Sequence, residues 1–392
     1  MLFNYYGVIM KRVYLDHAAT TPVDKEVAET MLEFFTENFG NASSLHSWGR
    51  KAKRALEESR AKVAKIINCE ANEIIFTGSG TESDNLAIKG IAYKYGKGHI
   101  ITSKIEHPAV LETCKYLEKK GFDVSYIPVD KNGVVNVEKI ENEIRDDTIL
   151  ISIMHSNNEI GTLQPIEEIG KIAKKNNIIF HTDAVQSIGK IEIDVKKLGI
   201  DLLSMSAHKI YGPKGVGALY VKQGIKLEPI LHGGGHEKGL RSSTENVAGI
   251  VGFAKACEIA RKRLKKDAKK MKELRNKIIK EALEIEEAYL TGHPIKRLPN
   301  NASFYFKGIE GESLVLLLDS KGIATSTGSA CSSKKLQASH VLIAIGVKPE
   351  DAHGSLRVTL GRENSKEEIE YFIEVLPETI NELRKISPLW KK

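Results

Sequence analysis

Two stretches decide the fold: Ile178-Ile179-Phe180-His181-Thr182-Asp183 and, further on, Asp201-Leu202-Leu203-Ser204-Met205-Ser206-Ala207-His208-Lys209. Each is a short, largely apolar run that ends in a chemically loaded residue, a carboxylate in the first and a lysine in the second. Runs apolar throughout suit strands covered on both faces of a sheet. Working outward, runs of strand length recur at 73–77, 99–102, 124–129, 148–154 and 218–221. Amphipathic segments at 81–94, 109–119 and 166–175 separate several of them. This alternation predicts an α/β domain with a mostly parallel sheet. Ligands of such sheets sit at the carboxyl ends of the strands, where Asp183 and Lys209 both fall.

Further along, the pattern predicts a long helix over 248–284, strands at 303–306, 324–326 and 355–360, and helices near 312–321 and 366–385. That order reads as a smaller α+β domain. The 392 residues suffice for two or three domains, and 41% hydrophobic with 28% charged residues is ordinary for a globular protein. The net charge of +7 is concentrated in 261–280, where Lys and Arg alternate with apolar residues at helical spacing and Asp267 and Glu273 interrupt any basic stripe. A solvated helix face explains it better than nucleic-acid binding. Cys69, Cys114, Cys257 and Cys331 show no Cys-x-x-Cys pairing. A disulfide framework is not expected, and a reducing cytoplasm is. Residues 1–9 lack a basic n-region and a cleavage pattern, and Met10 is a second candidate start. No apolar run has membrane-spanning length, so no membrane partner is expected.

A lysine and a carboxylate at neighbouring strand ends are what pyridoxal phosphate needs: a Schiff-base amine and a partner for the ring nitrogen. A single lysine after a strand is more often a surface charge, so the other motifs matter. Phe76-Thr77-Gly78-Ser79-Gly80-Thr81-Glu82 is a glycine-rich turn between a strand and a helix. It suits an anion at a helix N-terminus, with Thr81 as donor and cap, although an ordinary capped turn reads the same way. It is neither a P-loop nor a dinucleotide fingerprint. His107, before Pro108, is either a polar loop residue or a group that stacks on a cofactor and exchanges protons near neutral pH. Asn157-Asn158-Glu159-Ile160-Gly161 either forms a turn or offers donors to a ring hydroxyl or carboxylate. His232-Gly233-Gly234-Gly235-His236-Glu237 is a loop without an evident third ligand, and a metal site is rejected there. Cys331, in Ser326-Thr327-Gly328-Ser329-Ala330-Cys331-Ser332-Ser333-Lys334-Lys335, sits among small residues beside two lysines. That context favours a reactive thiolate.

Together these motifs resemble the cysteine desulfurases that supply sulfur for iron–sulfur cluster assembly, which are class V, fold type I pyridoxal phosphate enzymes. The likeness runs from Tyr14-Leu15-Asp16-His17-Ala18-Ala19-Thr20-Thr21-Pro22 to Ser387-Pro388-Leu389-Trp390. It implies a large cofactor-binding domain over 25–265 with a mostly parallel seven-stranded sheet. A discontinuous small α+β domain, 1–24 with 266–392, would carry a mobile cysteine loop. By the resemblance Lys209 holds the Schiff base and removes the Cα proton, Asp183 pairs with the ring nitrogen, and Gln186 and Asn158 approach the ring hydroxyl. Gly80, Thr81, Ser206 and His208 hold the phosphate, and Thr244 reaches the phosphate of the other subunit of a homodimer. His107 stacks on the ring, Arg357 and Asn158 bind the substrate, and Cys331 takes the sulfur of L-cysteine as a persulfide, releasing alanine. A transient iron–sulfur contact of Cys331, shared with a scaffold protein, is a further expectation. Bacterial relatives often continue past the Trp390 region with a tail that contacts the scaffold, so the resemblance carries the chemistry further than it carries scaffold docking. Selenocysteine lyases and other class V enzymes are competing readings, against which Cys331 discriminates; a catalytically idle scaffold is another, and Lys209, Asp183, His107 and Cys331 together count against it.

Overall fold

The computed structural model describes residues 12–328, 338–388 and Trp390. Its strands are β1 (Val13–Tyr14), β2 (Ile74–Thr77), β3 (His99–Ser103), β4 (Asp123–Ile127), β5 (Thr148–Ser152) and β6 (Ile179–Asp183). They continue with β7 (Leu202–Ser206), β8 (Gly217–Val221), β9 (Ala288–Leu290), β10 (Asn301–Phe306), β11 (Ile323–Ala324) and β12 (Ser355–Thr359). Strands β2 to β8 form one seven-stranded sheet in the order β2-β8-β7-β6-β5-β3-β4. Strands β3 to β7 pair in parallel, and β8 runs antiparallel to β2 and β7. The expected fold class holds.

Alternation along each strand divides the sheet's apolar side chains between two cores. Ile75, Ile100, Leu150, Leu202 and Leu219 pack on one face with the Gly80–Tyr95 and Pro108–Glu118 helices. Phe76, Ile101, Ile151, Phe180, Leu203 and Met205 pack on the other with Leu56, Ile169, Phe253 and Cys257 from three further helices. Both faces are covered, which is why β5 and β7 are buried at every residue. A third core joins Val13 and Leu15 to Met271, Ile278, Phe304, Leu356 and Phe372. It lies on the β12-β10-β9 antiparallel sheet, beside the parallel β1-β11 pair. The 36-residue Val247–Ala282 helix buries its first half in a sheet core and its second half in this one.

Among the described helices longer than ten residues, two escape the sequence pattern, Lys25–Thr36 and Ser47–Ala64. The second buries Gly49, Ala52, Ser59 and Arg60 as well as Leu56 and Val63, so its inward face is not an apolar stripe. The strand expected at 324–326 is only the two residues of β11; Ser326 instead forms an isolated bridge with Arg357. Among the described residues no helix is long and apolar enough to cross a membrane.

Candidate active site

The carboxyl ends of β5, β6 and β7 open into a cavity of ≈ 340 Å³. Strand β6 delivers Asp183 and then Gln186, and β7 runs into a short turn that presents Ser206, His208 and Lys209. The turn after β5 adds Asn158, the Gly80–Tyr95 helix adds Gly80 and Thr81, and the start of the Pro108–Glu118 helix adds His107. Arg357 of β12 completes the lining. The structure thus gathers ten of the residues selected from sequence. Thr244 does not line this cavity and is exposed on its loop. Cys331 lies outside the described residues, and so do the persulfide and iron–sulfur expectations attached to it.

Lys209 is held by the N-terminal segment: its Nζ donates to the carbonyls of Ala18 at 2.5 Å and Ala19 at 2.7 Å. Gln186 Nε2 donates to the same Ala18 carbonyl at 3.0 Å. His208 Nδ1 meets Thr20 Oγ1 at 3.1 Å, and burial together with Lys209 lowers its pKa to about 4. The cap of the Gly80–Tyr95 helix is Ser79, whose hydroxyl accepts from Glu82 N at 3.1 Å. This corrects the assignment of the cap to Thr81, which lies in the first turn. A Cβ at Gly80 would stand 2.7 Å from Val185 Cγ2 and 3.4 Å from Ser206 Cβ, so glycine here permits a close approach of helix to strand end.

Asp183 is buried, which raises its pKa, while His107 and Lys209 hold it down; Val185 N donates to its Oδ1 at 2.9 Å. Behind it Asp84 is 2% exposed and pushed well above the carboxylate range, first by burial and then by the charge of Asp183. His107 caps its helix by accepting from Ala109 N through Nδ1 at 3.1 Å. That bond makes Nε2 the nitrogen left to exchange a proton. Burial lowers the pKa of His107, and Asp183 works against that shift. Arg357, 4% exposed, donates from Nη1 to Asn158 O at 3.0 Å and from Nη2 to Asp16 Oδ1 at 2.9 Å, while its buried Nε has no hydrogen-bond partner.

The donor set fits pyridoxal phosphate. The cavity has the size of a small-ligand site. A helix N-terminus, whose first N–H groups have no intrahelical acceptor, converges with Ser206 and His208 on one end. At the ring position a buried carboxylate, Asp183, calls for a cationic partner, and Lys209 shares the cavity. Among the described residues no cluster of His, Cys, Asp or Glu has metal-binding geometry. Glu237, once conceivable as a ligand, instead takes both nitrogens of buried Arg60 at 2.7 Å.

Sequence reasoning passed over Asp16, Ala18, Ala19, Asp84, Glu159 and His340. The alanines act through backbone carbonyls, which leave no side-chain signal. Glu159 stood in the quoted Asn-Asn-Glu turn, but its partner lies far along the chain. Of the cysteines, Cys69, Cys114 and Cys257 are free thiols; burial pushes Cys69 up to about 12 and the other two upward as well.

The aminotransferase class-V family model matches residues 13–372. Cysteine desulfurase IscS of Clostridium botulinum (strain Hall) is 56% identical over 387 residues, covering 97% of each chain. That of Methanosarcina thermophila is 56% identical over 384 residues, 97% of this chain and 95% of the relative. A solved NifS-like protein superposes with a TM-score of 0.90 at 44% identity, covering 95% of this chain and 100% of the other. Since the matched span takes in the sheet, the cavity and β12 alike, the chain belongs to the class-V aminotransferase family.

Proposed function

We infer that this protein is a pyridoxal phosphate-dependent cysteine desulfurase serving iron–sulfur cluster assembly. The observation that carries the reading is the meeting of Lys209, Asp183, His107 and Arg357 in one cavity of a class-V chain. The extensive likeness to cysteine desulfurases adds the substrate, L-cysteine.

When bound, pyridoxal phosphate carries the substrate's amino group and takes up the electrons released as the Cα–H bond breaks. Arg357 binds the substrate carboxylate, its guanidinium already oriented by Asn158 and Asp16. Asn158 and Gln186 orient the ring side, and Asp183 supplies the negative charge for the ring nitrogen. Gly80, Thr81, Ser206 and His208 hold the phosphate. Lys209 Nζ takes the Cα proton, and His107 Nε2 moves a proton on the other side of the cavity. The Cys331 thiolate attacks the substrate sulfur; the C–S bond breaks, a proton replaces sulfur on carbon, and alanine leaves. L-cysteine and a thiol become alanine and a persulfide, with no net oxidation. The raised pKa values of Cys69 and Cys257 support Cys331 as the acceptor, because a thiol kept protonated is a poor nucleophile.

The same reading includes a homodimer in which Thr244 serves the second copy's phosphate. Its support is the exposure of five large apolar side chains within one short stretch of chain, Leu32, Phe35, Phe39, Leu45 and Trp48. It also includes a large domain over 25–265 and a small one from 1–24 and 266–392, supported by separate cores. A cytoplasmic location, a scaffold or other sulfur acceptor, and a transient iron–sulfur contact at Cys331 complete it. The test is an assay of alanine and sulfide from L-cysteine with and without a reductant. Alanine in both cases, with free sulfide only when reductant is present, is expected. No alanine from cysteine would contradict the reading.

A further inference from the structure

Glu159 is 5% exposed in the cavity wall, and the chemistry above gives it no task. Its backbone is fixed. Asn157 Oδ1 accepts from the N–H groups of Glu159 at 2.9 Å and Ile160 at 3.0 Å, and Asn301 Nδ2 donates to the Glu159 carbonyl at 3.0 Å. The carboxylate meets residues on both sides of the segment that carries Cys331. Ser339 Oγ donates to Glu159 Oε2 at 2.5 Å. On the other side, a Cβ at Gly328 would stand 2.7 Å from the same oxygen.

Both flanks are tied to the cavity in other ways as well. Ser326 exchanges backbone hydrogen bonds with Arg357, at 2.7 Å and 3.3 Å. Ser339 caps the His340–Ala344 helix, which buries Val341 and Leu342 against Ile105, Met154 and Ile160. His340 Nε2 meets the carbonyl of Glu106 at 3.0 Å, next to His107. A buried carboxyl is costly unless bonded. Burial raises Glu159 to about 7, against the pull of Ser339 and of Arg357.

We propose that Glu159 is a positioning residue for sulfur transfer, holding Gly328 and Ser339 together so that the Cys331-bearing segment begins and ends at the substrate-binding wall. The proposal rests on the reading of Cys331 as the sulfur-accepting thiol. Glu159 acts through Ser339 and Gly328, and Arg357 keeps its own bonds to Asn158 and Asp16 without it.

The test uses the cofactor-loaded protein with Glu159→Ala, Glu159→Gln, Ser339→Ala and Gly328→Ala, reading kcat, KM for L-cysteine and the iodoacetamide alkylation rate of Cys331 by peptide mass. Glu159→Ala lowers kcat roughly tenfold, the loss expected for a bond to a carboxylate. It leaves KM within about twofold, and alkylation of Cys331 without substrate becomes severalfold faster. Ser339→Ala and Gly328→Ala move both readouts the same way. Glu159→Gln, whose amide oxygen still accepts from Ser339, stays close to the parent. Parental kcat and alkylation in Ser339→Ala and Glu159→Ala overturn the proposal, and so does a rise in KM at unchanged kcat. If Glu159→Ala unfolds, Ser339→Ala alone decides. If alkylation responds as expected but Cys331→Ser still forms a persulfide, the role of Cys331 fails while the anchoring stands.

Discussion

In and beside the sheet, ionisable groups are buried into their neutral forms, whereas β12 and the N-terminal segment are joined by an ion pair whose arginine, Arg357, lines the cavity. Burial pushes His181 down to about 3, His155 down to about 4 and Glu106 up to about 8. Each is satisfied by neutral partners, His181 by Ser152 at 2.8 Å and Ser204 at 3.0 Å, Glu106 by Ser103 at 2.6 Å and Met154 N at 3.0 Å. Arg357 and Asp16, by contrast, lie 2.9 Å apart. On the proposed reading, neutral groups beneath the cavity leave Asp183 and Lys209 to meet the cofactor, and Arg357 is left to bind the substrate carboxylate. Substitutions in the two regions should then fail differently.

The largest effect belongs to the sheet side. Lys209→Ala should lower alanine release by about 10³-fold or more, as loss of a proton-transfer group does, and should abolish the covalent attachment of cofactor that borohydride fixes in the parent. Retained turnover would break the comparison on the sheet side. Next comes the β12 side, where Arg357→Ala should raise KM for L-cysteine by roughly 100-fold, the scale of truncating a buried charge pair. Cofactor absorbance should stay intact. Arg357→Lys, which keeps charge without the fork, should fall between. A fall in kcat at unchanged KM would deny Arg357 its recognition role. Gly80→Ala should weaken cofactor binding roughly tenfold, because the added methyl overpacks against Val185; equilibrium titration of the apo-protein measures this.

The smallest effect is on stability against pH. The folded pKa of His155, about 4, lies below its unfolded 6.5, so on acidification the unfolded chain takes up its proton first. The associated stability is whole above 6.5 and is lost as pH falls toward 4, at about 1.4 kcal/mol per pH unit for one proton. His155→Gln should flatten the fall of Tm over that window. An unchanged slope would mean that His155 does not contribute.

Much of the sheet side was legible because its information is local. Seven apolar runs gave the seven strands with ends shifted by no more than two residues, and the chemically loaded residues followed their ends. The β12 side was less legible because its information is long-range. Arg357 and Asp16 are 341 residues apart, and Ser339 and Glu159 are 180 apart. Arg60 reads as a surface residue of a polar helix, yet it is buried because Glu237, 177 residues away, neutralises it. Ala18 and Ala19 hold Lys209 with carbonyls that every residue possesses. Thr81 looked like the cap because both it and Ser79 are good capping residues, and only the backbone geometry chooses between them.

On the proposed function, a chain with this cavity moves sulfur from L-cysteine to its own Cys331. Brief exposure of the cofactor-loaded protein to L-cysteine, followed by non-reducing peptide mass spectrometry, tests it most directly. One added sulfur is expected on the Cys331 peptide, formed together with alanine, and none in Cys331→Ser although that variant still binds the cofactor. An added sulfur on Cys69, Cys114 or Cys257, or alanine release at the parental rate in Cys331→Ser, would contradict it.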